Sequence, residues 1–258
     1  MTAGSNPLRF LGGGVVGFDI AEHDLRMVRE LMGFALVGTG HRRSTVRYRE
    51  ATHGFERHDP LRDDAVEFVG STIEQLVDAL HLTIALHATD DVFVHAGAVE
   101  WGGSAIVIPG RSHAGKSSLV RSLVRAGARY LSDEYARITS DGLIAPYPRP
   151  LQIREPRGRR LVDPESIGAV APSDVPPGLL LLTHYVEHSK FDPQPVAPAH
   201  AALELLDNTV IAEVHPARAA AAVADIARTG VARRSVRPGA DHTVRAILAL
   251  ADKLVPAA

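Results

Sequence analysis

The chain of 258 residues has no cysteine, which excludes disulfides and thiolate metal sites. It has no surplus of charge either: 28 Lys and Arg stand against 30 Asp and Glu, for a net charge of −2. A nucleic-acid binder usually carries a basic excess, so no nucleic-acid partner is expected. No apolar run reaches the ~18 residues of a membrane helix, and the opening "MTAGSNPLRF" lacks the basic and apolar regions of a signal peptide. The expected location is the cytoplasm, with no membrane partner. Lysine is scarce. It occurs only as Lys116, Lys190 and Lys253, and arginine carries the rest of the positive charge.

Hydrophobic residues make up 45% of the chain, enough for a sizeable core. The pattern of elements is α/β, with a boundary expected near residue 90. Upstream, 1–90 is a smaller α/β segment. "GVVGFDI" and "STVRYREA" read as strands, "THGFERHDP" as a loop, and 61–88 as one amphipathic helix through Leu61, Phe68, Ile73, Leu76 and Leu80. Downstream, 91–258 is the main body. Apolar runs at 92–100 and 104–108 flank "WGG", a hairpin signal. Residues 116–126 carry a helical stripe of Leu119, Leu123 and Val124, with Gly127 as its stop. "ARYLSDEYARIT" reads as one strand and 154–178 as loop. "GLLLLTHYV" is a strand apolar enough to be buried on both faces, and "ARRSVRP" a last edge strand. Helices are expected at "PAHAALELLDNT", "HPARAAAAVADIART" and "ADHTVRAILALADKLV".

Between the strand at 104–108 and the helix at 116 lies Gly110-Arg111-Ser112-His113-Ala114-Gly115-Lys116-Ser117, which fits G-x-x-x-x-G-K-[ST]. The glycines let backbone N–H groups turn inward around an anion. The helix that follows begins with unpaired N–H groups and a partial positive charge. A lysine ammonium on a flexible stem can follow β- and γ-phosphates, and a serine hydroxyl next to it can ligate Mg2+. Residues 110–117, with Ser118 behind them, are therefore the expected nucleotide cradle, and the expected ligands are ATP and Mg2+.

Two further features bear on chemistry. Asp133 and Glu134 in "LSDEYARI" follow the helix after the loop, where a sheet of this kind holds ligands at strand ends. One carboxylate could hold Mg2+ and the other take a proton from an attacking hydroxyl. His95, in "FVHAGAVEW", starts the strand that pairs into the loop strand, and a tight turn would return it alongside the loop, where it could orient Asp133. A histidine there is also common as a purely structural group. His184 and His188 in "THYVEHSK" do not form a zinc motif.

The segment "HAGAVEWGGSAIVIPGRSHAGKSSLVRSLVRAGARYLSDEYARI" resembles the catalytic core of the HPr kinase/phosphorylase family, over residues 92–138. That family has a histidine-glycine strand, a short turn, a loop of the form G-x-S-G-x-G-K-S and then an acidic pair. The resemblance implies a P-loop fold like the HPr kinase C-terminal domain and the nucleotide domain of phosphoenolpyruvate carboxykinase. It implies an ATP- and Mg2+-dependent kinase in which Asp133 is the catalytic base, His95 assists it, and Glu134 and Ser117 bind the metal. The second acid is Glu134 where the family has Asp. Family members are oligomers, so a homo-oligomer is among the implications.

"YPRPLQIREPRGRR" packs five arginines into a short stretch. Arg149 and Arg154, flanking an apolar strand, are the candidates to offset transition-state charge; a solvated basic loop is the alternative. The expected function is transfer of the γ-phosphoryl group of ATP to a hydroxyl of a small molecule or a peptide serine. The 1–90 segment would then supply acceptor or oligomer contacts. The alternative is a nucleotide-sensing module with little transfer. No N-K-x-D guanine motif is present.

Overall fold

The computed structural model describes residues 7–39, 46–62, 66–110, 114–155 and 158–255. The chain is mixed α/β and divides into two compact units, Met1–Asp91 and Val92–Ala258.

The first unit is built on a sheet of β1 (Leu8–Phe10), β2 (Val15–Asp19), β3 (Leu36–Thr39), β4 (Val46–Ala51), β5 (Gly54–His58) and β6 (Val66–Gly70). Their order is β3-β1-β2-β4-β5-β6. Helices α1 (Glu22–Leu31) and α2 (Ile73–His87) supply Leu25, Val28, Leu76, Leu80 and Ile84 to a core with Phe18 and Tyr48. Two expectations fail here. The loop expected at 52–60 contains β5, paired to β4 from Arg47↔His58 to Ala51↔Gly54. The single helix expected over 61–88 is a strand followed by a helix. Thr72 and Gln75 form a reciprocal cap that starts α2 at Ile73. Phe68, placed in the buried stripe by helical periodicity, lies exposed on β6.

The second unit carries β7 (Val92–Trp101), β8 (Ser104–Pro109), β9 (Arg129–Ser132), β10 (Tyr135–Ile138), β11 (Ile144–Ala145), β12 (Leu151–Glu155), β13 (Gly158–Val162), β14 (Pro177–Tyr185), β15 (Gln194–Pro195) and β16 (Val231–Arg237). Its helices are α3 (Lys116–Arg125), α4 (Pro198–Leu206), α5 (Pro216–Thr229) and α6 (Ala240–Leu254). The main sheet has the order β11-β10-β7-β8-β14-β16-β15, with β9 also on β7.

Alternation along the strands sorts the side chains to two faces. Ala105, Val107 and Leu180 join Ala201, Leu205, Val223 and Ile226 of α4 and α5. Ile106, Ile108, Leu179 and Leu181 join Leu119, Leu123, Val244 and Ile247 of α3 and α6. A sheet covered on both faces needs strands apolar on both sides, which is what "GLLLL" in β14 supplies.

Strands β8, β14 and β16 run parallel, so their carboxyl ends lie along one rim of the sheet. Strand β7 runs antiparallel to β8, and Gly110 N–H donates to His95 O at 3.1 Å, which brings His95 to the same rim.

Three further expectations change in this unit. "ARYLSDEYARIT" is two strands, both on β7: β9 against Ala98–Glu100 and β10 against Val92–His95. The chain has to step from one ladder to the other, and the residues in the step are Asp133 and Glu134. The stretch expected to be loop from 154 includes β13, which closes a hairpin with β12. Strand β16 is interior, because the two-residue β15 covers its outer side.

Gly97 decides how closely α3 approaches this sheet. A Cβ placed there would lie 2.6 Å from Val120 Cγ2. Gly97→Ala should therefore destabilise the chain by about 1–3 kcal/mol through overpacking. Adding Val120→Ala should recover part of that loss, as read by urea unfolding of the three variants. A double mutant no more stable than the sum of its parts would contradict this packing.

Candidate functional site

Helix α3 starts from Gly115, which sits at φ 77° and ψ 22°, a left-handed conformation that glycine adopts without a Cβ penalty. Among the described residues no side chain caps this end of the helix. Its first N–H groups lack intrahelical partners and can face an anion.

Lys116 is the first residue of α3 and is 6% exposed. Its ammonium donates to Gly110 O at 2.6 Å, tying the end of the loop back to its beginning. Burial pushes the ammonium below its ordinary value, while the charges of Glu134 and Asp133 pull it back up.

The two acids, in the bend between β9 and β10, point to different surroundings. Asp133 is 2% exposed. Burial raises its carboxyl, against the charge of Arg149 and hydrogen bonds to Ser117 and Tyr130. The Tyr130 hydroxyl lies 3.1 Å from both Asp133 Oδ1 and Arg149 O, so one proton faces two acceptors. Glu134 is partly exposed. Burial raises its carboxyl too, but His95, Arg149 and Lys116 outweigh that and hold it below the usual carboxylate range.

His95 Nδ1 lies 3.7 Å from Glu134 Oε1, and the ring packs on Tyr135 with centroids 4.8 Å apart. The expected pairing of His95 with Asp133 is thus replaced by one with Glu134. The reason is the step between β9 and β10, which turns Asp133 inward to Tyr130 and leaves Glu134 beside β7.

Lys116, Ser117, Asp133, Glu134, His95 and Arg149 therefore form one electrostatic cluster at the rim. Arg149 is buried at 6% exposure, and its charge bears on both acids. Gly110, Ala114 and Gly115 belong to the loop itself, and Ser118 follows within α3. Arg111, Ser112 and His113 lie outside the described residues. Arg154 is in β12, opposite Arg159; its side chain also lies outside the described part.

The sequence reading missed Arg237 and Tyr130. Arg237 ends β16, is 2% exposed, and donates through Nη2 to Gly115 O at 2.9 Å and Ala114 O at 3.3 Å. The signal was faint. In "VARRSVR" the inward positions Ala232, Ser235 and Arg237 end on a charged residue, which is unusual inside a sheet.

Glu134, Ser117 and Asp133 offer hard oxygen donors, the kind Mg2+ takes, and Glu134 is held ionised. Among the described residues no three His, Asp or Glu side chains converge as a metal site, so phosphate oxygens and water would complete the shell. Also among the described residues, no helix is long and apolar enough to cross a membrane.

No protein-family model matches the chain, and no curated protein is similar to it. Among solved structures it is similar to the HPr(Ser) kinase/phosphatase from Coxiella burnetii, at 14% identity, covering 63% of this chain and 93% of that one, with a TM-score of 0.33. This is a distant likeness of fold. At that score it decides nothing about chemistry, which has to come from the residues.

The burial of Asp133 has a measurable consequence. Its folded value lies above that of the unfolded chain. Between the two values the folded chain keeps a proton that the unfolded chain has lost, so stability falls as pH rises through that window and is fully kept below it. Asp133→Asn carries no such slope. Its stability relative to the parent should rise as pH climbs above the ordinary carboxylate value, and the extra margin should vanish in acid. Urea unfolding at a series of pH values reads this; a difference that stays flat across the series would sink the claim.

Proposed function

We propose that the 92–258 unit binds a nucleoside triphosphate, ATP, across the 110–117 loop and transfers its γ-phosphoryl group to a hydroxyl of a small molecule or a peptide serine. The observation that carries this is one juxtaposition. A buried lysine ammonium at an uncapped helix N-terminus faces two carboxylates that burial and their neighbours push in opposite directions. A pair of acids set apart in this way is suited to two different tasks.

In this assignment Lys116 and the loop amides hold the β- and γ-phosphates. Ser117 and Glu134 hold Mg2+, which neutralises phosphate charge and aligns the phosphates when bound. Asp133 is the base. The acceptor oxygen attacks the γ-phosphorus, the bond to the bridging oxygen of ADP breaks, and the acceptor's proton goes to Asp133. A carboxyl with a raised value is the stronger base once ionised. Arg149 keeps the ionised form within reach and offsets charge spreading over the equatorial oxygens. His95, beside Glu134, steadies that carboxylate. Arg154 is a second candidate to offset that charge. The 1–91 unit is proposed to supply acceptor contacts or the surface of a homo-oligomer, and the cytoplasm is the proposed location.

A second reading, a nucleotide-sensing module with little turnover, has one observation in its favour. Asp133, at 2% exposure, is closed to an acceptor unless the nucleotide opens the rim.

Two variants separate these readings. Lys116→Ala should weaken ATP binding by about 10- to 100-fold, as removal of a charged hydrogen-bond donor does. Asp133→Asn should keep ATP affinity within about threefold while transfer falls by about 10²–10⁴-fold. Binding is read by calorimetry and transfer by phosphorus NMR with ATP, Mg2+ and a panel of hydroxyl compounds. Unchanged binding in Lys116→Ala contradicts the cradle; Asp133→Asn turning over like the parent contradicts the base and favours the sensing module.

A further inference from the structure

Arg237 is a buried charge that lacks a countercharge. The residue is 2% exposed, and among the described residues the one ionisable group that bears on its charge is Tyr185, not a carboxylate. Nη2 donates to Gly115 O at 2.9 Å and Ala114 O at 3.3 Å, Nη1 reaches only Pro238 O at 3.4 Å, and Nε is buried without a hydrogen-bond partner. Burial pushes the group below its ordinary value, and Tyr185, its neighbour on β14, pulls it back up. A cation in such a place is costly unless something offsets it. Two carbonyls of the loop and one of its own strand end do so only in part.

The loop carbonyls it selects matter. In a trans peptide the C=O of one residue and the N–H of the next point in opposite directions, and no peptide bond here is cis. A guanidinium that draws the carbonyls of Ala114 and Gly115 to itself therefore sends the N–H groups of Gly115 and Lys116 the other way. A donor on the carbonyl also polarises the peptide and strengthens its N–H as a donor. Gly115 is the residue this contact requires: a Cβ on it would lie 2.7 Å from Arg237 Nη2.

We propose that Arg237 is a positioning residue of the anion site. It fixes the carbonyls of Ala114 and Gly115, turns the N–H groups of Gly115 and Lys116 towards a bound polyphosphate, and takes from that polyphosphate the countercharge it lacks. The proposal rests on the assignment of the loop as a phosphate cradle and adds to it the far end of β16. Arg237 acts through the peptide planes and does not touch the ligand. The ligand feature it serves is the phosphate chain, so the nucleoside should be indifferent to it.

The test is calorimetric titration of the full chain with ATP and, separately, with inorganic tripolyphosphate, in the parent, Arg237→Gln, Arg237→Lys and Ile247→Ala. The last variant removes core packing in α6 and serves as an equally destabilised control. Arg237→Gln should weaken both ligands by the same factor, about 30-fold. Arg237→Lys, which keeps the charge and can hold one carbonyl, should lose only about threefold, and Ile247→Ala should bind as the parent does. Circular dichroism confirms that each variant is folded. If Arg237→Gln does not fold, Arg237→Lys decides: an equal threefold loss for both ligands supports the proposal, and unchanged affinity overturns it. Parent-like binding by Arg237→Gln, or a lysine variant as weak as the glutamine one, overturns it while leaving the cradle standing. A parent chain that binds neither ATP nor tripolyphosphate overturns the cradle and this proposal together.

Discussion

The site depends on the cost of holding an ammonium out of water. Lys116 is nearly covered, and burial works against its charge. What keeps it charged is the carbonyl of Gly110 and the field of Asp133 and Glu134. An uncompensated buried charge costs several kcal/mol, so these groups have to stay where the sheet puts them. The loop bend, the start of α3 and the gap between β9 and β10 are all constrained by that requirement.

Strand β7 meets it. It is long enough to hold two partners on one side, β10 on its first half and β9 on its second, with β8 on the other side. The changeover leaves two residues outside both ladders, opposite the place where β8 gives way to the loop. Ala96 N–H donates to Glu134 O, and Tyr135 N–H to Ser132 Oγ, so the step is pinned at both ends. Gly97, at the same level, lets α3 come down onto the sheet. A change to this strand would thus act on the loop, the helix and the acids together.

Local patterns made much of this legible, and the limits have physical causes. The hairpin around Gly102 and Gly103, the stripe of α3 and the apolar run of β14 are short-range signals, and each element lies where its pattern puts it. Periodicity misled at 61–88 because Phe68 and Val69 suit a helical stripe as well as a strand; the Thr72–Gln75 cap was the better guide. The split at Asp133 could not be read, since it arises from competition between two strands for one partner. The His95–Glu134 contact follows from that split. Arg237 lies more than a hundred residues from the loop it holds, and only the parallel order β8-β14-β16 brings it there.

One tension in the site points to how it would work. The acid with the stronger basicity is the one closed to solvent, and the accessible acid is held ionised by His95, Arg149 and Lys116. If Asp133 were open, water would lower its basicity and its value would be ordinary. If it were closed throughout, no acceptor could reach it. The arrangement is consistent only if nucleotide binding rearranges the rim. A phosphate that draws Lys116 away from Gly110 O and the two acids removes part of the field on both carboxylates. The same event would free the bend of the hydrogen bond that now closes it. On this account the buried base is kept closed until nucleotide arrives, and the triphosphate itself supplies the free energy that exposes it.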